Sequence, residues 1–376
     1  MEATDRQHPA PSVAVYVSGV DCDDHGRDTD LSPGAIVGGL PLIVRLARQV
    51  ARVGVTHINL VSSTHTGPWH RMLEDHHVEV ELESVAPEKV PQGALILDGM
   101  ALYDTPTLEA AVLGDETGPV PRIRVADSRS VAEAEAWLWA SVRKSMSHDG
   151  PVAYFLARPV SNRISRLLLP TGVSPNAVTL VGLVVGIACG AVAALGGHGP
   201  VLAATLLFYL GMIFDCVDGD LARVKLATSR RGQWLDSLTD DLSVVFLTLG
   251  MGVGLWRGSG QPLHLWAGVG GAALVVLGQA VIYVVLARGG GPIDTARYPW
   301  FFSGGQGLAQ EGKRSLLGYM SFLARRDSLT LVFVVLAAVG QGPAILAILA
   351  GGAALYFALL LVDRLVKALG PREGVR

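Results

Sequence analysis

The stretch FDCVDGDLARVKLATSRRGQWLDSLTDD, residues 214–241, carries six aspartates between two long apolar segments. Residues 167–214 contain no Asp, Glu, Lys or Arg, and residues 242–256 are again uncharged. A carboxylate beside hydrocarbon is costly, so acids in such a place usually serve a function. The position and spacing of these six aspartates therefore decide how the rest of the chain is interpreted.

Apolar segments predict six transmembrane helices in the second half of the chain, each near the roughly 20 residues that a span requires. Turns rich in glycine, at residues 196–200 and 340–343, separate helices that would otherwise form one uncharged run. The predicted helices cover about 176–196, 200–224, 232–256, 262–287, 326–340 and 343–366.

Charge is distributed unevenly over the 376 residues, whose net charge is −3. Residues 1–150 carry 12 Lys/Arg and 22 Asp/Glu, whereas residues 151–376 carry 18 and 11. In the second half the basic residues fall almost entirely on one side of the predicted membrane, and the positive-inside rule makes that side cytoplasmic. Because no signal-peptide pattern precedes them, we expect both termini in the cytoplasm, in a multi-pass protein of the inner (cytoplasmic) membrane.

Four parts are expected along the chain. Residues 154–169 mix apolar residues with Arg158, Arg163 and Arg166, which is typical of an amphipathic helix at a membrane interface. The predicted parts are a cytoplasmic α/β domain (1–150), the interfacial helix (151–172), the six-helix domain (173–370) and a cytoplasmic tail (371–376).

Four of the six aspartates have a spacing that helix geometry brings together. Asp215 and Asp218 lie near the cytoplasmic end of the second predicted span, and Asp236 and Asp240 lie at the start of the third. Residues three or four apart share a helix face, so two antiparallel helices can gather all four carboxylates. Such a cluster requires cations, and oxygen-only ligands favour hard ions such as Mg²⁺.

Small residues and an arginine accompany these four acids. Gly219, Ala222 and Gly232 remove side-chain bulk, and Arg223 supplies a fixed charge suited to phosphate. Asp220 and Asp241 fall outside the spacing, and a solvated or salt-bridged surface is the simpler interpretation for both.

The pattern D-x2-D-G-x2-A-R-x8-G-x3-D-x3-D runs from Asp215 to Asp240 with every fixed position matched. It resembles the signature of the CDP-alcohol phosphotransferase (CDP-alcohol phosphatidyltransferase) family of six-helix membrane enzymes, over roughly residues 151–370. The resemblance implies a transferase that moves a phosphoalcohol group from a CDP-alcohol to an acceptor hydroxyl and releases CMP. The product would be a phosphodiester, either a phospholipid or a di-inositol-phosphate-like compound.

Roles for individual residues also follow from the resemblance. Two divalent ions, Mg²⁺ or alternatively Mn²⁺, would be bound, and Asp240 would be the base that accepts the proton of the acceptor hydroxyl. The implied metal ligands are Asp215, Asp218 and Asp236, with Asp240 as an additional one. The implied nucleotide site comprises Asp218, Gly219, Ala222, Arg223 and Gly232. The expected partners are the CDP-alcohol, a lipid or polyol-phosphate acceptor, the bilayer and a second copy of the chain, with no nucleic acid.

Two further motifs have alternative interpretations. Residues 175–179, with Asn176 and Thr179, are similar to a family motif near the nucleotide, but they equally suit a helix cap formed by Ser174 or Asn176. Arg325 and Arg326, just before the fifth predicted span, would either hold a phosphate of the acceptor or donor, or anchor the chain on the positive side.

The first 150 residues alternate β-like and helical patterns, which indicates an α/β domain with a mostly parallel sheet. The predicted strands are 12–18, 57–62, 78–83, 94–97 and 122–126, and the predicted helices are about 41–53, 66–75, 106–113 and 129–146.

This half resembles a sugar nucleotidyltransferase at residues 38–61 and 95–113. It departs from that family in an acidic loop where a glycine-rich, basic loop is expected, in a missing lysine, and in Met100, where a metal-binding aspartate should follow Gly99. These losses favour a degenerate, non-catalytic domain. The order of domains resembles fusions of an inositol-phosphate cytidylyltransferase with a di-inositol-phosphate synthase. One alternative is therefore a bifunctional enzyme that makes its own CDP-alcohol from CTP, and another is a six-helix divalent cation transporter.

Overall fold

A computed structural model of the chain describes residues 13–17, 33–62, 66–113, 118–144, 149–288, 298, 300 and 326–369. The chain divides into two compact units, one made of residues 1–143 with 223–226 and the other of residues 144–222 with 227–376.

The N-terminal unit is built on a four-stranded sheet in which every neighbouring pair is parallel. Its strands are β1 (Val13–Tyr16), β4 (His57–Val61), β5 (Glu81–Val85) and β6 (Leu95–Asp98), in the order β5-β4-β1-β6. Short antiparallel pairs join β2 (Ile36–Val37) to β3 (Leu40–Pro41) and β7 (Ala101–Leu102) to β8 (Ile123–Arg124). The helices are α1 (Leu42–Arg52), α2 (Gly67–Asp75), α3 (Thr105–Val112) and α4 (Ser128–Ser141).

Apolar residues of the central strands and of α1 form the core of this unit. Val13, Ile58 and Leu60 have no exposed surface, as is usual for parallel strands covered on both faces. The parallel sheet predicted from the sequence is confirmed. The strand predicted at 122–126 is different: only Ile123–Arg124 is extended, and it pairs with β7 outside the main sheet.

Arg45 is the largest fully buried side chain of the α1 face, with 2 % of its surface exposed. Its guanidinium donates hydrogen bonds to the carbonyl oxygens of Val37 (2.9 Å) and Gly38 (3.3 Å). Burial, with a smaller contribution from the charge of Arg48, lowers the pKa of Arg45 to about 10. The guanidinium therefore holds the turn between β2 and β3 and does not face solvent.

The second unit is helical, and within its described residues five helices are long and apolar enough to cross a membrane. These are α6 (Pro175–Ala193), α7 (His198–Val224), α8 (Arg230–Ser259), α9 (Pro262–Arg288) and α11 (Gly342–Leu369). The remaining ones are α5 (Arg158–Leu168), which follows a π-helical turn at Ala153–Ala157, and α10 (Arg326–Ala338). With 13 residues, α10 is shorter than the roughly 20 residues of a span, so the predicted sixth transmembrane helix is not confirmed.

One face of α5 and of the turn before it is apolar and exposed, whereas the opposite face is polar and buried. Phe155 and Leu167 are 62 % and 74 % exposed, but Arg158 and Ser161 are 3 % and 0 % exposed. The helix is therefore amphipathic, as the sequence indicates. Arg158, however, does not belong to a solvent-facing basic surface, because two buried carboxylates surround it.

Glycines allow α6 and α8 to pack in direct backbone contact. A Cβ atom at Gly250 of α8 would overlap the carbonyl oxygen of Gly190 on α6, and it would lie 3.0 Å from the Cβ of Ala193. Small residues at such contacts are typical of membrane helix pairs, where close packing supplies the attraction. This contact fixes the distance between α6 and α8, the helix that carries Asp236 and Asp240.

We expect Gly250→Ala to destabilise the protein, because the new methyl group must push α6 and α8 apart. Overpacking of this kind costs about 1–3 kcal/mol. Thermal unfolding in detergent should show a lower Tm for this variant. The matched control is Gly270→Ala on α9, where the added Cβ has open space around it. Equal Tm values for the two variants would contradict this account of the packing.

Candidate metal and nucleotide site

The aspartate motif lies at the adjacent ends of two consecutive helices. Asp215 and Asp218 are on the last turns of α7, and Asp236 and Asp240 are on the first turns of α8. The hydroxyl of Ser229 caps α8 by accepting a hydrogen bond from the backbone N–H of Gly232 (3.0 Å). The cap starts α8 at a defined residue, and the i, i+4 spacing then places Asp236 and Asp240 on one face.

Three of the four carboxylates form a group with the geometry of a metal site. Oxygen atoms of Asp215, Asp236 and Asp240 all lie within 4.8 Å of one another, and all three side chains are partly buried. Carboxylates held so close repel each other unless a cation lies between them. Oxygen-only ligands in a cluster of this charge fit a hard divalent ion.

Asp218 lines the same cleft but has a different partner. One of its carboxylate oxygens accepts a hydrogen bond of 2.6 Å from the hydroxyl of Thr179 on α6, and both residues are 5 % exposed. The contact joins α6 to the aspartate motif. It also fixes which oxygen of Asp218 faces the cleft.

The segment at the start of α6 contributes in two ways. Ser174 is the helix cap, since its hydroxyl accepts a hydrogen bond from the N–H of Ala177 (3.2 Å). The side-chain oxygen of Asn176 lies 3.1 Å from the place that a Cβ atom of Gly232 would occupy. A side chain at position 232 would therefore press against Asn176, which is a physical reason for glycine there.

Arg326, at the first turn of α10, also lines the cleft. Its guanidinium forms an ion pair with Asp240, and its central carbon lies 5.6 Å from the ring centre of Phe208. The arginine therefore points at the carboxylate group. Arg325 lies outside the described residues.

The cleft between these side chains is small, with a volume of about 10 Å³. That is room for about one water molecule or ion. Sequence reasoning did not single out four of the residues that line it, namely Gly182, Gly211, Thr239 and Ser243. Their positions one helical turn from Thr179, Asp215, Asp236 and Asp240 are the signal that could have identified them.

Asp220 and Asp241 have specific partners of their own. Asp220 is 2 % exposed and accepts a 2.6 Å hydrogen bond from Arg158, so it belongs to a buried ion pair rather than to a solvated surface. Asp241 accepts hydrogen bonds from Gln279 (2.9 Å) and Tyr283 on α9. Neither carboxylate belongs to the three-carboxylate group.

The remaining residues of the motif continue along α7. Gly219, Ala222 and Arg223 are partly buried on its last turns. Their part in nucleotide binding stays a prediction.

A family model matches the middle of the chain. Residues 172–305 match the model described as CDP-alcohol phosphatidyltransferase, so this part of the chain is similar to that family. The match and the five long apolar helices of the described residues support a multi-pass membrane protein.

Proteins of two organisms are similar to parts of this chain. The chain is similar to a protein of Thermococcus kodakarensis named bifunctional IPC transferase and DIPP synthase, with 39 % identity over 24 % of this chain and 20 % of that one. A protein of the same name from Rubrobacter xylanophilus is 35 % identical over 38 % of this chain and 31 % of that one. The matches thus span about a fifth to a third of these relatives.

A solved structure also matches. The crystal structure of Mycobacterium tuberculosis phosphatidylinositol phosphate synthase with CDP-DAG bound covers 58 % of this chain and 98 % of that one, with 18 % identity and a TM-score of 0.41.

We expect Thr179→Val to weaken divalent metal binding, because Asp218 then loses the hydrogen bond that orients it. A hydrogen bond to a charged group contributes about 1.5–3 kcal/mol, and loss of such an outer contact typically lowers metal affinity by about 10-fold or more. Titration of the purified protein with Mn²⁺, followed by electron paramagnetic resonance, measures the affinity. Thr205→Val is the matched control, since that buried hydroxyl bonds only its own helix at Leu202. Unchanged Mn²⁺ affinity in Thr179→Val would exclude this role.

Proposed function

We propose that the protein transfers a phosphoalcohol group from a CDP-alcohol to an acceptor hydroxyl, forming a phosphodiester and releasing CMP. The observation that carries the proposal is the group of three carboxylates, Asp215, Asp236 and Asp240, within 4.8 Å of one another. It lies inside the segment that matches the CDP-alcohol phosphatidyltransferase family. The group lies on two of the long apolar helices, where carboxylates are costly and usually serve a function.

Two Mg²⁺ ions, with Mn²⁺ as a substitute, are the proposed cofactors. Asp215, Asp218 and Asp236 would hold them, and Asp240 would be an additional ligand. Bound there, the ions would neutralise the charge of the donor's diphosphate and hold the reactants in line. The cluster geometry supports this assignment, because bound cations would relieve the mutual repulsion of the carboxylates.

The nucleotide would bind along the last turns of α7 and the first turn of α8. Gly219, Ala222 and Gly232 would let the cytidine diphosphate approach the backbone, and Arg223 would contact phosphate. Asn176 and Thr179 would line the same site from α6. The close approach of Gly232 to Asn176 and the hydrogen bond from Thr179 to Asp218 support including α6.

Asp240 is the proposed general base. It would accept the proton of the acceptor hydroxyl while that oxygen attacks the phosphorus atom that carries the donor alcohol. The bond from this phosphorus to the oxygen of CMP breaks, and CMP leaves with the bonding electrons. The ion pair with Arg326 would hold the Asp240 carboxylate in one orientation before the acceptor arrives.

Arg326, with Arg325 beside it in sequence, is proposed to bind a phosphate of the acceptor or donor. The position of Arg326 against the carboxylate group favours this role over a membrane anchor. The acceptor would then be a lipid or a polyol phosphate, and the product a phospholipid or a di-inositol-phosphate-like compound.

The protein is proposed to lie in the cytoplasmic membrane with both termini in the cytoplasm, and the basic residues of the loops support this orientation. It would act as a homodimer.

The N-terminal unit is proposed to be non-catalytic. Met100, where a metal ligand is expected, is 9 % exposed, and the neighbouring Asp98 is held by Arg124 at 2.7 Å. The second candidate is a bifunctional enzyme, which the names of the curated relatives favour. The full chain incubated with CTP and inositol phosphate should release no pyrophosphate; steady release would establish the second candidate instead.

We expect Asp240→Asn to abolish CMP release, because the amide cannot accept the proton. General bases contribute about 10²–10⁴-fold to the rate. CMP formation from CDP-alcohols is measured in detergent micelles with Mg²⁺, and circular dichroism confirms that the variant is folded. Asp241→Asn is the control. The carboxylate of Asp241, next to Asp240 in sequence, accepts hydrogen bonds from Gln279 and Tyr283 instead. Turnover of Asp240→Asn near the wild-type rate would refute the proposed base.

Removal of divalent ions should stop the reaction reversibly. We expect EDTA to eliminate CMP release and added Mg²⁺ or Mn²⁺ to restore it, since the diphosphate is otherwise repelled by the carboxylates. The same preparation in sealed vesicles tests the transporter alternative. Mg²⁺ flux without any CMP formation would favour transport and overturn the transferase.

A further inference from the structure

A buried ion network joins the start of the interfacial helix to the aspartate motif. The guanidinium of Arg158 donates to both carboxylate oxygens of Asp149 (2.7 and 2.8 Å) and, on its other side, to Asp220 (2.6 Å). The side chains of Arg158, Asp149 and Asp220 are only 4 %, 6 % and 3 % exposed. The hydroxyl of Ser161 donates a further hydrogen bond to Asp220 (3.3 Å).

Stability alone is a poor explanation for this network. Burying three charged groups costs several kcal/mol per ion, and apolar side chains of similar size often stabilise a protein at least as well. What charged groups provide is a fixed geometry, because a guanidinium that is bonded on both sides tolerates little rotation. Asp220 is two residues from Asp218 on the same helix, so the network fixes α7 close to its metal-binding turn.

A second contact joins the same segment to α10. The carboxylate of Asp327, which is 6 % exposed, accepts a hydrogen bond from the backbone N–H of Ala153 (3.3 Å). A Cβ atom at Gly150 would overlap this carboxylate, and Gly150 has a φ of +80° that favours glycine. Asp327 directly follows Arg326, which pairs with Asp240. The segment therefore contacts the neighbours of both Asp218 and Arg326.

We infer that residues 149–161 are a positioning element of the active site: Arg158 holds α7 through Asp220, and Gly150 and Ala153 hold α10 through Asp327. The inference rests on the proposed function for its catalytic meaning. Its structural content is that the distance from the α7 carboxylates to Arg326 and Asp240 is set by this segment. Asp149, Arg158, Asp220 and Asp327 are thus positioning residues and do not contact substrate.

The test compares two buried carboxylates whose charge is removed by the same change. Asp220→Asn should raise the Kd for Mn²⁺ by about 10-fold and lower kcat more than it raises KM, as loss of an outer contact to a metal site typically does. Asp363→Asn, on α11, is the matched control. Asp363 is fully buried, pairs with Lys367 of the same helix (2.9 Å) and accepts a hydrogen bond from Tyr298 (2.6 Å). It should lower the Tm while leaving the Kd for Mn²⁺ unchanged.

Arg158→Lys is the second variant for the same measurement, used if Asp220→Asn does not fold. Lysine keeps the charge but cannot bond both carboxylates with a planar fork, so the same rise in the Kd for Mn²⁺ is expected. The inference is overturned if Asp220→Asn or Arg158→Lys lowers the Tm but keeps wild-type Mn²⁺ affinity, as the control does.

The two proposals fail in distinguishable ways. A wild-type protein that binds Mn²⁺ but forms no CMP would disprove the transferase, and the Mn²⁺ comparison would still decide the positioning role. A wild-type protein without any Mn²⁺ binding would overturn both.

Discussion

The repulsion among carboxylates at the ends of α7 and α8 is the constraint on which the helical unit depends. Oxygen atoms from three side chains lie within 4.8 Å, next to segments without any other charge. Isolated charges in such surroundings are costly, and among the described residues the guanidinium of Arg326 offsets part of that cost. One positive charge does not balance three carboxylates. The remaining negative charge suits the binding of cations.

The surrounding helices maintain this arrangement through direct backbone contacts rather than through large side chains. Glycines let α6 and α8 meet at their backbones, and Thr179 reaches from α6 to Asp218. A shift of either helix would alter metal-binding distances directly. The network around Arg158 likewise joins the segment before α5 to α7 by short contacts. Rigid packing thus replaces the flexible loops that often form catalytic sites in soluble enzymes.

The sequence predicted five long apolar helices and three carboxylates that come close together, because both depend on local rules. Apolar length determines a span, and helical spacing brings Asp236 and Asp240 onto one face. Other features depend on contacts between distant residues. The pairing of Asp220 with Arg158 joins positions 62 residues apart, and no periodicity predicts it. For Arg326 the sequence left open a phosphate-binding role and a membrane anchor, and neither predicts its ion pair with Asp240.

Errors in the prediction have similar physical causes. The strand predicted at 122–126 has the right composition, but its partner is β7, and partner choice is not encoded in a single strand. The helix α10, Arg326–Ala338 in the described residues, agrees with the predicted 326–340, and its role as a sixth span stays a prediction.

The placement of the carboxylates at one end of the helices has a consequence for where the two reactants would meet. In the proposed reaction, a lipid on one reactant and a water-soluble group on the other would need a meeting point at the boundary of the two phases. A site at the helix ends, beside an amphipathic helix with exposed Phe155 and Leu167, would suit such a boundary. Neither reactant would have to leave its own solvent, and CMP would diffuse away from the same opening that admitted the donor.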